Sequence, residues 1–168
     1  ENYDAVTEET IRKAYTRSNY WTVYRFFPEE GKVNQHGPRT WHNLWFNRDG
    51  SGLNERVHGY AYDINFRNTS SLRFQAMQRE VNLPVPTELI GGDNDPLPVA
   101  NYQFMTYWIN YGTDTRKLLN TDFRLEYGEF FNGTRFSTLT NLNFRTQPWG
   151  NFGITYNYNK VKLAEEYG

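Results

Sequence analysis

Along most of the chain apolar and polar residues alternate singly, and that alternation predicts strands. Residues 53–66 place Tyr60, Tyr62, Ile64 and Phe66 on one face and Gly59, Ala61, Asp63 and Asn65 on the other. A period of two is the one a pleated strand imposes on its side chains. Residues 71–81 set Leu72, Phe74 and Ala76 opposite Arg73, Gln75, Met77 and Arg79. Residues 118–131 set Phe123, Leu125 and Tyr127 against Arg124, Glu126 and Gly128. The same pattern runs through 135–146, with Phe136, Leu142 and Phe144 against Ser137, Asn141, Asn143 and Arg145. It recurs in 151–162, with Phe152, Ile154, Tyr156 and Tyr158 against Gly153, Thr155, Asn157 and Asn159. Residues 39–47 and 102–111 also read as strands, although the second is apolar on both faces and the pattern does not orient it. Upstream, 19–27 reads as one more strand and 8–15 carries a weak helical signal.

Turn chemistry separates these elements. Asp49-Gly50-Ser51-Gly52 and Asn132-Gly133 are hairpin signals, because glycine accepts positive φ. Residues 67–70, 113–116 and 147–150 read as tight turns. Residues 82–100 hold Pro84, Pro86, Pro96, Pro98 and Gly91-Gly92 and form a long loop, since proline cannot donate to a ladder. The chain thus divides into an entry segment, 1–38, with one strand, and a region, 39–168, with about seven antiparallel strands. Most are longer than the roughly 5–6 residues usual in soluble sheets. They match the roughly 9–11 residues a tilted strand needs to cross a bilayer. Tight turns alternate with a set that includes the long loop, as at the two rims of an outer-membrane barrel. The expected fold is therefore all-β: an antiparallel up-and-down transmembrane β-barrel, or an open segment of a larger barrel. On that expectation loop 82–100 and the Asn132 turn are extracellular, and the turns at Asn68, Asp114 and Pro148 are periplasmic.

Composition sharpens the picture. Aromatic residues make up 18% of the 168 positions, yet mean hydropathy is -0.84. Strands that show lipid on one face and water on the other produce that pair of values, because half of each strand is polar. The net charge of -1 gives no case for a nucleic-acid partner. Cysteine is absent, which removes disulfides and thiolate metal sites. No run of about 18 apolar residues could cross a membrane as a helix.

Several blocks carry a resemblance: Arg25-Phe26-Phe27-Pro28, a His36-Gly37-Pro38 turn, Tyr62-Asp63-Ile64-Asn65-Phe66, and Leu97-Pro98 before a strand. They continue with Tyr127-Gly128-Glu129-Phe130-Phe131-Asn132-Gly133-Thr134-Arg135, and with Tyr156-Asn157-Tyr158-Asn159 followed by Leu163 and Glu165. On these blocks residues 26–168 resemble a family of outer-membrane proteins from Bacteroidota-type bacteria. In that family a carbohydrate-binding family-9-like domain precedes a large β-barrel. The resemblance implies an outer-membrane location, lipid and other outer-membrane proteins or glycans as partners, and further strands in a longer chain.

Candidate chemistry is sparse. His36, His42 and His58 lie in separate predicted elements, whereas zinc needs three or four converging ligands. Asn47-Arg48-Asp49-Gly50-Ser51 and Asp93-Asn94-Asp95 are oxygen-rich but lack the bidentate glutamate of a calcium loop. Glu126 and Glu129 differ by three and point to opposite faces of a strand. With no catalytic constellation the chain reads as a non-enzyme that needs no cofactor. Asp63, Arg73, Arg79, Arg124, Glu126 and Arg145 are the candidate lumen-facing residues. They form either a solvated wall of ion pairs or a charged constriction that selects solutes. Tyr62, Ile64, Phe74, Leu125, Phe144, Ile154 and Tyr156 are expected to face lipid, with Asn157 inward. The expected role is a structural, pore or platform part of an outer-membrane complex. The alternative is a soluble β-sandwich binding carbohydrate through Trp41, Trp45, Trp108 and Trp149.

Overall fold

The computed structural model describes residues 2–3, 6–7, 10–11, 14–89, 95–146 and 148–164. Two short strands, β1 (Asn2–Tyr3) and β2 (Thr10–Ile11), pair with each other. The helical signal at 8–15 therefore coincides, where residues are described, with strand at Thr10–Ile11 and Tyr15. Eight longer strands follow: β3 (Tyr15–Val23), β4 (Val33–Asn47), β5 (Leu53–Phe66), β6 (Ser71–Asn82), β7 (Asn101–Gly112), β8 (Leu119–Phe130), β9 (Gly133–Thr146) and β10 (Gly150–Lys162). They form one antiparallel sheet in strict chain order, β3 to β10. No pairing joins β10 to β3 among the described residues, so the sheet is open. The described residues contain no helix.

Three boundaries differ from the sequence pattern: the strand expected at 19–27 is β3, Tyr15–Val23, shifted toward the N-terminus, and two turns are displaced. The expected turn at His36-Gly37-Pro38 lies inside β4, opposite Ile64, Asp63 and Tyr62. Pro38 lacks a ladder donor there, but its carbonyl accepts the Tyr24 N–H at 3.0 Å. Glycine precedes it because a Cβ would overlap the Tyr24 carbonyl. The hairpin between β8 and β9 turns at Phe131-Asn132, with Phe131 at a φ of 52°, and Gly133 already pairs with Phe130. A Cβ on Gly133 would overlap the Lys162 carbonyl, so this glycine serves close approach to β10. Loop 83–100 is tied by paired bonds between Thr87 and Leu97, at 3.0 and 2.9 Å. Its Gly91-Gly92 and Asp93-Asn94 lie outside the described residues.

The registers orient every strand. Pairs such as Tyr62↔Phe74, Phe74↔Ile109, Ile109↔Leu125 and Leu142↔Ile154 place the apolar positions of β5–β10 on one face. They also settle β7: Tyr107, Ile109 and Tyr111 join the apolar face, and Phe104, Thr106 and Trp108 the opposite one. The apolar face is uncovered, with Ile154 68% and Ile109 40% exposed. The buried apolar side chains are instead Val57, Ala61 and Phe104 on the other face, with Leu83, Val85 and Leu97 of the loop.

Strand ends are staggered. The row through Gly128, Thr106, Met77 and Gly59 lies two residues from the end of β8 but six from the start of β5. At the other rim, the row through Ile64, Leu72, Tyr111, Phe123, Thr140 and Tyr156 lies two residues from the end of β5 but six from the start of β10. The sheet is a sheared parallelogram.

Candidate functional site

The face opposite the apolar belt carries the chain's organised polar chemistry. Alternation sends Asp63, Arg73, Arg79, Arg124, Glu126 and Arg145 to this one face, and the registers bring most of them into networks. Asp63 stands between two guanidinium groups: Arg39 at 2.6 Å and Arg73, which pairs with it through Nε. The Asp63 side chain is 13% exposed. In the same cross-strand row, Asn110 donates to Gln75 at 3.0 Å and accepts from Arg124 at 2.8 Å. Glu126 pairs with Arg135 at 3.3 Å, and Glu55 with Arg79 at 3.4 Å. Arg145 reaches the rim and donates to the Thr115 carbonyl at 3.1 Å. On β3–β10 this face holds seven arginines (17, 39, 73, 79, 124, 135, 145) against four carboxylates (55, 63, 122, 126), so it is cationic within a chain of net charge -1.

A cavity of about 480 Å³ opens on this face, lined by Trp21, Val23, Arg25, Arg39, Trp41 and Gln75. Its geometry follows from local sequence. Trp21 and Trp41 are direct cross-strand partners, and Trp41 is in turn paired with Gly59. The indole of Trp41 lies across Gly59, where any Cβ would overlap ring atoms Cδ2, Cε2 and Cζ2. Glycine thus lets a tryptophan lie on the sheet, an aromatic cover for a strand glycine. Next to the cavity, Arg17 sits over the Trp45 ring at 5.0 Å and donates to Asn43 at 3.0 Å. A second cavity of about 310 Å³ is lined by Arg73, Asn110, Asp122, Arg124 and Asn141 among others.

The alternation singles out Asp63 and Arg73 but not Arg39, the second partner of that carboxylate, nor the cavity that Trp21 and Arg25 line together. The missing signal is register, which the linear pattern does not contain. His42 and His58, expected apart, are cross-strand partners with Nδ1 atoms 2.5 Å apart, on the apolar face. Tyr20 stacks on His42 at 4.7 Å. Among the described residues no group of three or more His, Asp or Glu could hold a metal ion. The Asn47–Ser51 segment spends its oxygens internally, with Asp49 accepting from the Ser51 N–H at 2.9 Å.

At the opposite rim from the long loop, the Asp114 turn is electrostatically fixed. Arg116 donates to both Asp114 carboxylate oxygens at 3.0 Å, and Thr69 donates at 2.9 Å. The Arg116 bonds, first of all, hold the Asp114 carboxyl well below the usual carboxylate range, and Arg116 is raised in return.

No protein-family model matches the chain, and no curated protein or solved structure is similar to it.

Proposed function

We propose that this chain forms wall of an outer-membrane β-barrel, with its apolar face against lipid and its arginine-rich face lining a polar lumen. The observation that carries the reading is the uncovered apolar belt that runs across β5–β10, opposite a face of ion pairs. Soluble monomers rarely expose contiguous apolar patches beyond a few hundred Å². A sandwich would lay a second sheet over this face, and nothing described covers Tyr60, Phe74, Tyr127 or Phe152.

The stagger supports the same reading. Four residues of offset are about 13 Å of strand, gained over three to five interstrand spacings of about 4.8 Å. That corresponds to a strand tilt of roughly 30–40°, beside the roughly 35–45° of membrane barrels. The lumen would be cationic, and a ring of arginines favours anionic solutes. The resemblance to Bacteroidota outer-membrane proteins points to the same location.

Spin labels at Ile154 and Asn157, on opposite faces of β10, test it in reconstituted membranes. A lipid-dissolved relaxant should reach Ile154 and a water-soluble one Asn157. Equal accessibility of both sites to water would sink the proposal.

A further inference from the structure

We infer that the Trp21–Trp41 cavity is a binding site for a sugar acid, a pyranose ring bearing one carboxylate. The inference deepens the reading above, in that a lumen would be the ligand's route, but the site itself is built wholly from β3–β6 and the residues just after β3. Its floor is aromatic. Trp41 is held across Gly59 and lines the cavity, and its cross-strand neighbour Trp21, 68% exposed, extends the surface. A flat indole face accepts the C–H face of a saccharide ring as it accepts other ring systems, through dispersion and its quadrupole. The rim is polar. Gln75 offers its amide N–H pair to hydroxyl groups, its Oε1 already accepting from Asn110 at 3.0 Å. Arg39 is committed to Asp63 through Nη2, while its Nε is buried without a partner.

Arg25 decides the ligand's charge. It lines the cavity, and no ion pair or hydrogen bond from its side chain is present among the described residues. A guanidinium free to present its planar fork suits a carboxylate, which it binds through two parallel N–H donors. The volume, about 480 Å³, falls in the roughly 300–1,000 Å³ range of small-molecule sites. A nucleotide is the competing occupant, since bases also stack on tryptophan.

Calorimetric titration of the detergent-solubilised protein with glucuronate, glucose and adenosine monophosphate tests the inference. Glucuronate should bind at least tenfold tighter than glucose. R25Q should bring glucuronate binding down to the level of glucose in the same variant, removing that preference. W41A should abolish binding of both sugars. Trp41→Phe, which keeps a smaller ring over Gly59, should fold and weaken both severalfold, so the platform is tested even if W41A misfolds. Equal binding of glucose and glucuronate, tighter binding of the nucleotide, no heat from glucuronate, or an unchanged preference in R25Q would each overturn it. Lipid accessibility at Ile154 is measured separately, so glucuronate binding without lipid contact would refute the barrel and keep the site.

Discussion

Replacing Ile109 by arginine separates a lipid-facing wall from a solvent-facing sheet. Ile109 lies on the apolar face of β7 between Phe74 and Leu125, and is 40% exposed. Against water, an arginine there would keep its alkyl stem on the neighbours and solvate its head. The loss would be the cross-strand pair terms, roughly 0.2–1 kcal/mol. Against hydrocarbon, arginine at the midplane of a barrel's lipid face costs about 2–4 kcal/mol, falling to about 0–1 near the interfaces. The internal control is Gln103→Arg, on the same face of the same strand but six residues, or about 20 Å, nearer the loop rim. That end of the face is polar, since Gln103 pairs across from Glu80, and Glu80 from Arg56. Urea unfolding of both variants in lipid vesicles should show Ile109→Arg destabilised by about 2 kcal/mol or more beyond Gln103→Arg. Equal destabilisation of the two, or an Ile109→Arg effect under about 1 kcal/mol, would refute the depth argument.

Asp63→Ala should cost about 1–2 kcal/mol by chemical unfolding, less than a fully buried pair would, because its two arginine partners are about a third exposed and solvent screens the charges they lose; a neutral result would show that Arg39 and Arg73 are fully solvated without it. Asp114 is held low in the folded state, so it contributes stability that is complete above the ordinary aspartate value of about 3.9 and is lost as pH falls toward its folded value. Asp114→Asn should therefore flatten the acid limb of a thermal-stability profile below about pH 4 and leave the slope at neutral pH alone; an unchanged acid limb would assign the loss to other carboxylates.

The strand boundaries were legible because one face is apolar and the other polar, and a period-two pattern survives wherever that contrast holds. In β5 the expected range 53–66 and the observed Leu53–Phe66 coincide. Where the contrast fails, so does the reading. In β7 both faces are apolar, and only pairing with Phe74 and Ala76 shows that Ile109 and Tyr107 share the belt. At the start of β4, Gly37-Pro38 carries turn chemistry in a strand, because the neighbouring Tyr24 supplies the ladder bond and forbids a Cβ. The charges of the face opposite the apolar belt were legible one strand at a time, as with Asp63 and Glu126. Their partners were not, because Arg39 reaches Asp63 and Arg135 reaches Glu126 diagonally across strands. The cavity was least legible of all: Trp21 lies in a strand whose expected range, 19–27, was displaced from Tyr15–Val23. Nothing in a linear sequence pairs Trp41 with Gly59.

The open edges bear directly on how a wall of this kind could sit in lipid. β10 has 13 residues and β3 has nine, and each pairs on one side only. In an antiparallel ladder alternate residues point their N–H and C=O groups to the same side, so roughly half the backbone groups of each edge strand have no partner in the sheet. Each such group costs several kcal/mol in hydrocarbon, where no water can replace the bond. The sum over one edge is on the order of tens of kcal/mol, well beyond the roughly 5–15 kcal/mol that holds a domain folded. Ion pairs on the polar face cannot offset it, since each contributes about 1 kcal/mol or less when partly exposed. A lipid-embedded form must therefore pair both edges, either with each other or with further strands. Hydrogen exchange in membranes reads this out. On β10, the residues whose N–H groups point away from β9 should exchange as slowly as those bonded to it. Fast exchange at every second amide of β10 would mean the edge is wet, and an open sheet with a wet edge is not a membrane wall.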